Sequence, residues 1–262
     1  MNDIVVSVDK QRADYERALA AIRLTDPSFD PSTAMLQPHT LIITKPLLTT
    51  SREVVFNLYT DPSVAAQFAP DDIPLNAGDV FYATHIGYKI IKTLGTSAVT
   101  APQNLSNEIA YSYADPNVFN GFVTASGKYE FKALEAIFNG KTQISAGSSN
   151  RLVEFSNRRL KHVPAAQRIK YTLTNSNEPA YGPGLEDEGL FPLNPNMLFV
   201  GGDTVNKVTC KIAQNAYIDL IDGKIDSAGA AIVNQNYLQL EVFGFWFSAG
   251  DNSFANCNNK VA

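Results

Sequence analysis

Between Thr204 and Ala213, apolar Val208, Cys210 and Ile212 alternate with Lys207, Thr209 and Lys211, and the same two-residue period recurs along most of the chain after Pro38. Successive side chains of a strand point to opposite faces, so this pattern demands sheets that bury one face. It places strands at Leu41 to Ile43, at Glu53 to Tyr59 with Val54, Phe56 and Leu58 on one side, and over Asp79 to Thr93. Further strands are expected at Gln143 to Ala146, Arg151 to Phe155, Arg168 to Thr174, Met197 to Val200, Thr204 to Ala213, Tyr217 to Ile221 and Tyr237 to Ser248. Gly87, inside a long run, marks an expected bulge or bend. The 22 asparagines, 16 glycines and 14 prolines gather between the runs and supply turn chemistry. No strand-helix-strand alternation recurs, which disfavours a doubly wound α/β sheet and predicts an all-β, mainly antiparallel fold.

Two short helices interrupt the strands. Asp61-Pro62 is an N-cap followed by proline at the first helical position, leading into Val64, Ala65 and Phe68. From Phe131 to Phe138, Phe131, Leu134 and Phe138 share one face, and Asn139-Gly140 ends the helix. The N-terminal segment reads differently from the rest. Tyr15, Leu19 and Ile22 fall at helical spacing between Arg12 and Leu24, after which Asp26-Pro27, Asp30-Pro31 and Pro38 make an extended tether that holds His39. Residues 1–38 are therefore expected to form an arm and residues 39–262 the β domain. So short a helix buries too little apolar area to be stable by itself, so the arm is expected to lie on a neighbouring subunit or the interior of a particle.

The 262 residues, 45% hydrophobic and 18% charged, form a globular chain with enough apolar matter for a large core. No stretch reaches the roughly 20 apolar residues of a membrane-spanning helix. The opening Met1 to Asp9 carries an acid where a cleaved signal needs bases, so export by that route is not expected. A net charge of -5 argues against an arm that neutralises phosphates and against sequence-specific nucleic-acid binding. The densest basic stretch, with Arg158, Arg159, Lys161 and Arg168, reads as a solvated or intersubunit face.

Motifs for chemistry are weak. Cys210 and Cys257 have no second ligand at metal or redox spacing, and Cys210 sits on the apolar side of its strand as an inert thiol would. His39, His85 and His162 have no nucleophile elbow near them. Asp219, Asp222 and Asp226 miss the spacing of a calcium loop, and Asp222-Gly223 reads as a hairpin turn. Glu186, Asp187 and Glu188 read as a solvated loop, with a metal site or a basic partner as the alternative. Gly201-Gly202-Asp203 lacks the lysine and helix of a phosphate cradle. No catalytic, cofactor-binding or metal-binding residue is expected from these motifs.

The closing run is more informative. In Leu238 to Phe247 the even positions are apolar throughout, while the odd positions change from Gln239 and Glu241 to Phe243, Phe245 and Phe247. Its second half therefore needs cover on both faces, from a loop, the arm or another subunit. Trp246 is expected to be mostly buried, with Phe245 and Phe247 pointing the other way.

In layout the chain resembles the jelly-roll coat proteins of small icosahedral tailless viruses, bacteriophages in particular. The arm, the long Asn/Pro-rich loops with short helices, Phe191-Pro192-Leu193-Asn194-Pro195 before Met197 to Val200, Thr204 to Ala213, and the closing strand carry the resemblance. Tyr111 to Phe119 and Ala133 to Gly140 also look like phage structural proteins. The resemblance implies an antiparallel jelly-roll β-sandwich with insertions, or two compact jelly rolls in tandem. It further implies a self-assembling capsid subunit without enzymatic activity or cofactor, located in the virion and made in the host cytoplasm. The implied partners are copies of itself in a symmetric shell, other virion proteins, and an internal membrane or the genome through the arm. The acidic balance departs from coats with a basic packaging arm and suits a membrane-lined shell or a genome neutralised by other means. Two rivals stand beside it: a carbohydrate- or receptor-binding sandwich using Tyr82, Tyr88 or Tyr181, and a glycosidase-like enzyme with carboxylates that the sequence does not pair.

Overall fold

The computed structural model describes residues 3–25, 35–47, 52–59, 72–75, 79–95, 110–119, 122–123, 128–146, 149–163, 189–200, 206–213 and 233–248. In chain order these give α1 (Asp3–Thr25), β1 (Met35–Pro46), β2 (Glu53–Asn57), β3 (Val80–Gly95), β4 (Ala110–Tyr111), β5 (Phe122–Val123), β6 (Lys128–Tyr129) and α2 (Glu130–Phe138). They continue with β7 (Lys141–Ala146), β8 (Ser149–Ser156), a 3₁₀ turn (Asn157–Leu160), β9 (Phe191–Val200), β10 (Lys207–Lys211) and β11 (Val233–Ser248). The expected helix after Asp61 and the expected strands Arg168 to Thr174 and Tyr217 to Ile221 lie outside the described residues.

The strands form two antiparallel sheets of an all-β sandwich. One runs β1-β11-β3-β4 with β9 also on β3, and the other runs β2-β10-β7-β8. Residues directly opposite in a ladder share a face, so register sorts the side chains. Leu41, Val242 and Ile86 form one inward row of the first sheet, and Ile43, Leu240 and Tyr88 form the next. All six are at most 1% exposed, as full burial on the inner face requires. Val54 and Phe56 of β2, Ile144 of β7 and Val208 and Cys210 of β10 line the facing sheet, and one core cluster holds both sets. Phe56 stacks on Tyr88 across the gap, with ring centroids 6.0 Å apart. Each such buried aromatic contributes about 1.5–3 kcal/mol through lost contact with water.

The bulge in β3 sits at Thr84, not at Gly87. Phe243 faces His85 while Gly244 faces Ala83, leaving Thr84 as the extra residue. Its hydroxyl donates to the Phe243 carbonyl at 3.2 Å. The insertion switches parity: Phe81 and Ala83 point inward before it, Ile86, Tyr88 and Ile90 after it. Gly87 serves a close approach instead, since a Cβ there would lie 2.8 Å from the Gly189 carbonyl oxygen. Gly140, just past α2, answers to the same demand; its Cβ would collide with the Lys211 carbonyl. The expected helix stop at Asn139-Gly140 is thus also where α2 meets β10.

The N-terminal boundary differs from the sequence reading. β1 begins at Met35 and pairs with β11 from Met35↔Ser248 onward, so Pro38 and His39 lie in a strand and not in a tether. Proline fits because β1 is at the end of the sheet order, where a missing donor costs no ladder bond. The short segment 72–75 then covers that edge: Ile73 donates to the Ile42 carbonyl at 2.7 Å, and Leu75 donates to the Leu58 carbonyl at 2.7 Å. One segment thereby joins the first sheet to the end of β2.

The helix α1 is longer than the expected Arg12 to Leu24 and lies on its own sheet. Ala18 and Ile22 are at most 2% exposed, and Ala18 clusters with Tyr82 and Phe245 on the outer face of the first sheet. Tyr15 meets Phe245 edge-on at 6.2 Å. The buried stripe is thus Ala18 and Ile22 with Tyr15 at its rim; Leu19 is only half-buried. A small residue at the contact lets the helix approach the sheet closely. Extension back through Ile4, Val5 and Val6 costs a few tenths of a kcal/mol per β-branched residue, which the added backbone hydrogen bonds of an existing helix offset.

Candidate functional site

The two faces of β11 lead to two different environments at the Met35 end of β1. Outward, Phe245 is 3% exposed beneath α1. Inward, Trp246 packs against the main core and faces Gln37 and Phe81 in the ladders. The strand therefore carries the double apolar layer expected of it, with the arm helix as the outer cover. The Phe247 side chain lies outside the described residues.

Beside Trp246 is a half-open recess of about 150 Å³, walled by His39, Leu41, Ile73, Leu75, Asp79 and Trp246. β1 brings His39 there because His39 faces Gly244, whose missing side chain leaves room for the imidazole to lean on Trp246, with centroids 5.3 Å apart. Asp79 enters from the start of β3 and is 2% exposed. Burial holds the His39 pKa below its ordinary value, and the Asp79 charge pulls it back only partly. Burial thus favours the neutral form of the imidazole.

Two polar clusters lie deeper. Glu130, in the first turn of α2, accepts from Lys92 of β3 at 2.8 Å and from Asn236 of β11 at 2.7 Å. Lys92 also donates to the Val118 carbonyl at 3.1 Å and lies over the Phe119 ring. A buried ion pair of this kind fixes α2 against the first sheet more than it adds net stability. The second cluster crosses the sandwich. Thr142 donates to Asn157 Oδ1 at 2.5 Å, leaving its lone pairs for the Tyr88 hydroxyl at 2.9 Å. The Asn157 amide donates to the Ile137 carbonyl at 2.7 Å and to Cys210 Sγ at 3.3 Å. Burial pushes the Cys210 thiol up to about 12, against the opposing pull of the hydrogen bond from Asn157. Cys210 is the buried inert thiol that its strand alternation indicates.

The other candidates do not converge. His85 is on the outer face, its Nδ1 2.9 Å from the Thr84 hydroxyl and its ring against Phe243. The carbonyl of His162 accepts from Ser112 Oγ at 2.8 Å. Arg158 and Arg159 are exposed in the 3₁₀ turn, Arg159 over Phe191, and Lys161 pairs with Glu135 at 2.8 Å. Cys257, Arg168, Tyr181, Glu186, Asp187, Glu188, Gly201, Gly202, Asp203, Asp219, Asp222 and Asp226 lie outside the described residues. Among the described residues no three His, Cys, Asp or Glu side chains gather to hold a metal ion, and no helix is long and apolar enough to cross a membrane. Tyr82 and Tyr88, expected as sugar-stacking platforms in the carbohydrate reading, are 7% and 0% exposed. Neither ring offers a face to a glycan, because α1 covers the first and the facing sheet covers the second.

Sequence reasoning singled out Trp246 but missed Asp79, whose position after Asn76-Ala77-Gly78 reads as the end of a loop. It also missed the Lys92–Glu130–Asn236 cluster, for which a lysine and an asparagine at inward positions of otherwise apolar strands were the available signal. No protein-family model matches the chain, and no curated protein or solved structure matches it.

Proposed function

We propose that the chain is a single jelly roll that serves as a self-assembling coat subunit of a virus particle. The observation that carries this reading is the pairing order of the eight longer strands, β1, β2, β3, β7, β8, β9, β10 and β11. Numbered from one to eight, first pairs with eighth, second with seventh, third with sixth and fourth with fifth, all antiparallel. Contacts of eighth with third and of seventh with fourth join these pairs into sheets. Folding one long antiparallel ribbon over itself, so that successive pairs alternate between two sheets, generates this order. Double-sheet folds of that kind recur in viral capsid domains as well as in lectins and cupins. One core cluster spanning both sheets favours a single jelly roll over two in tandem.

The step from sandwich to shell is fold-level analogy, and the surface supports it in one respect. The first sheet is covered outside by α1 and by the turn at Gly189, while the second presents Glu53, Val55, Asn57, Lys141 and Lys211 to solvent. A two-sided subunit of this kind suits a wall with unlike inner and outer surfaces. In this reading the partners are copies of the same chain, other virion proteins, and a membrane or genome on the inside; the location is the virion. Size-exclusion chromatography with negative-stain microscopy of the purified protein tests it. Closed particles or symmetric oligomers are expected, and a monodisperse monomer across salt and pH would overturn the reading.

A further inference from the structure

We propose that Lys92, Glu130 and Asn236 form a self-cross-linking site, in which the lysine amine condenses with the asparagine side-chain amide to give an isopeptide bond between β3 and β11. The inference does not rest on the coat reading. Lys92 and Asn236 are direct partners in the ladder of β3 with β11, which sets their Cβ atoms about 4.5–5.5 Å apart on one face. One carboxylate, from the first turn of α2, bridges the two side chains. Glu130 Oε2 accepts from Lys92 Nζ at 2.8 Å, and its Oε1 accepts from Asn236 Nδ2 at 2.7 Å. Contacts with the Val118 carbonyl at 3.1 Å and with the face of the Phe119 ring hold the lysine head in place.

An amide resists amines in water because the amine is charged, its approach is random and the amide nitrogen leaves badly without a proton. The site answers each obstacle. The side chains of Lys92 and Glu130 are 8% and 3% exposed and Asn236 is 0% exposed, so water has little access to compete. Proton transfer from ammonium to carboxylate along the 2.8 Å contact removes both buried charges at once and yields the neutral amine. The amine attacks Cγ of Asn236 and the Nζ–Cγ bond forms; the carboxyl hands its proton to Nδ2, and the Cγ–Nδ2 bond breaks. The two protons shed by the ammonium leave with that nitrogen as an ammonium ion, and Glu130 returns to a carboxylate. Fixed side-by-side placement of reactants is worth an effective molarity of ~10⁵–10⁸ M. Lys89 provides the contrast. It faces Gln239 in the same ladder and pairs with Glu241 at 2.9 Å, but the Gln239 amide donates to Thr44, so no carboxylate contact joins amine to amide there.

Intact-mass spectrometry of the folded full chain, followed by peptide mapping, tests the proposal. The expected mass is lower by one ammonia than the sequence requires, with the loss mapped to a branched peptide that joins Lys92 to Asn236. The side chains of Lys89 and Gln239 are expected unmodified. Lys92→Arg keeps a cation for Glu130 but has no amine to offer, and Glu130→Gln keeps the shape without the proton carrier; both variants are expected at full mass. If either variant does not fold, the unaltered chain decides. Full mass after days in the folded state at neutral pH, with Lys92 and Asn236 in separate peptides, would overturn the proposal. Loss of ammonia confined to Asn120-Gly121 or Asn139-Gly140, where a succinimide forms within the backbone, would overturn it equally.

Discussion

Asn157 is fully buried and holds three partners at once, Thr142, the Ile137 carbonyl and Cys210. Replacing it by leucine removes the acceptor of the Thr142 proton and one of two donors to the Ile137 carbonyl, which keeps the Gly140 N–H at 3.2 Å; a buried group that loses its partner costs about 1–3 kcal/mol. Asn157→Leu should therefore lower unfolding free energy by about 1–3 kcal/mol, measured by urea denaturation. Titration of two other residues gives pH signatures of opposite sense. The Cys210 thiol, raised from 9.0 to about 12, stays protonated where the unfolded chain has released its proton. Its contribution is fully present below pH 9 and is lost as pH rises from 9 toward 12, by up to about 1.4 kcal/mol per unit; buried Tyr88 adds to the same decline. In the native chain the Cys210 peptide should resist iodoacetamide and become labelled only in denaturant, as mass spectrometry can show. His39 has its folded pKa below 6.5, so stability is unaffected above that pH and falls as pH drops through 6.5 toward the folded value. His39→Gln should flatten that acid limb in denaturation curves taken from pH 7 to pH 5. At this scale, alternation made Cys210 legible, whereas Asn157 looked like one more loop asparagine because its partners are 15, 20 and 53 residues away.

At the scale of elements, α1 is the part whose environment the sequence left open. Its helical spacing was legible between Arg12 and Leu24, but the surface beneath it depends on Tyr82 and Leu198, both distant in sequence from Phe245. Deleting residues 1–25 should leave the β signal of circular dichroism intact, because both sheets and their common core lie outside α1. The same deletion uncovers Phe245 and Tyr82, and dye binding to exposed apolar surface should rise. Ala18→Arg should reproduce the dye response without a truncation, since a long cation cannot fit a position 0% exposed against the sheet. The bulge in β3 shows a different limit. Period-two reading works within Phe81 to Ala83 and within Ile86 to Ile90, but the extra Thr84 flips parity between them, and nothing local distinguishes it from Gly87 as the site of irregularity.

For the whole molecule, class was legible and wiring was not. Strand alternation fixes which residues face inward, yet the partner of each strand is decided by long-range contacts that no local pattern encodes. The four antiparallel pairs from first-with-eighth to fourth-with-fifth are what both the sandwich and the proposed shell depend on. Thr44 of β1 and Gln239 of β11 face each other on the outer side of the first sheet, 195 residues apart, with the amide donating to the hydroxyl at 3.2 Å. The most direct measurement is therefore oxidative cross-linking of Thr44→Cys/Gln239→Cys, in a Cys257→Ser background so that only buried Cys210 remains beside the pair. An intramolecular disulfide mapped by mass spectrometry between positions 44 and 239, with the β signal and unfolding cooperativity retained, is the predicted result. Free thiols after oxidation of the folded chain, or cross-links formed only between chains, would contradict the pairing of first strand with last and the fold built on it.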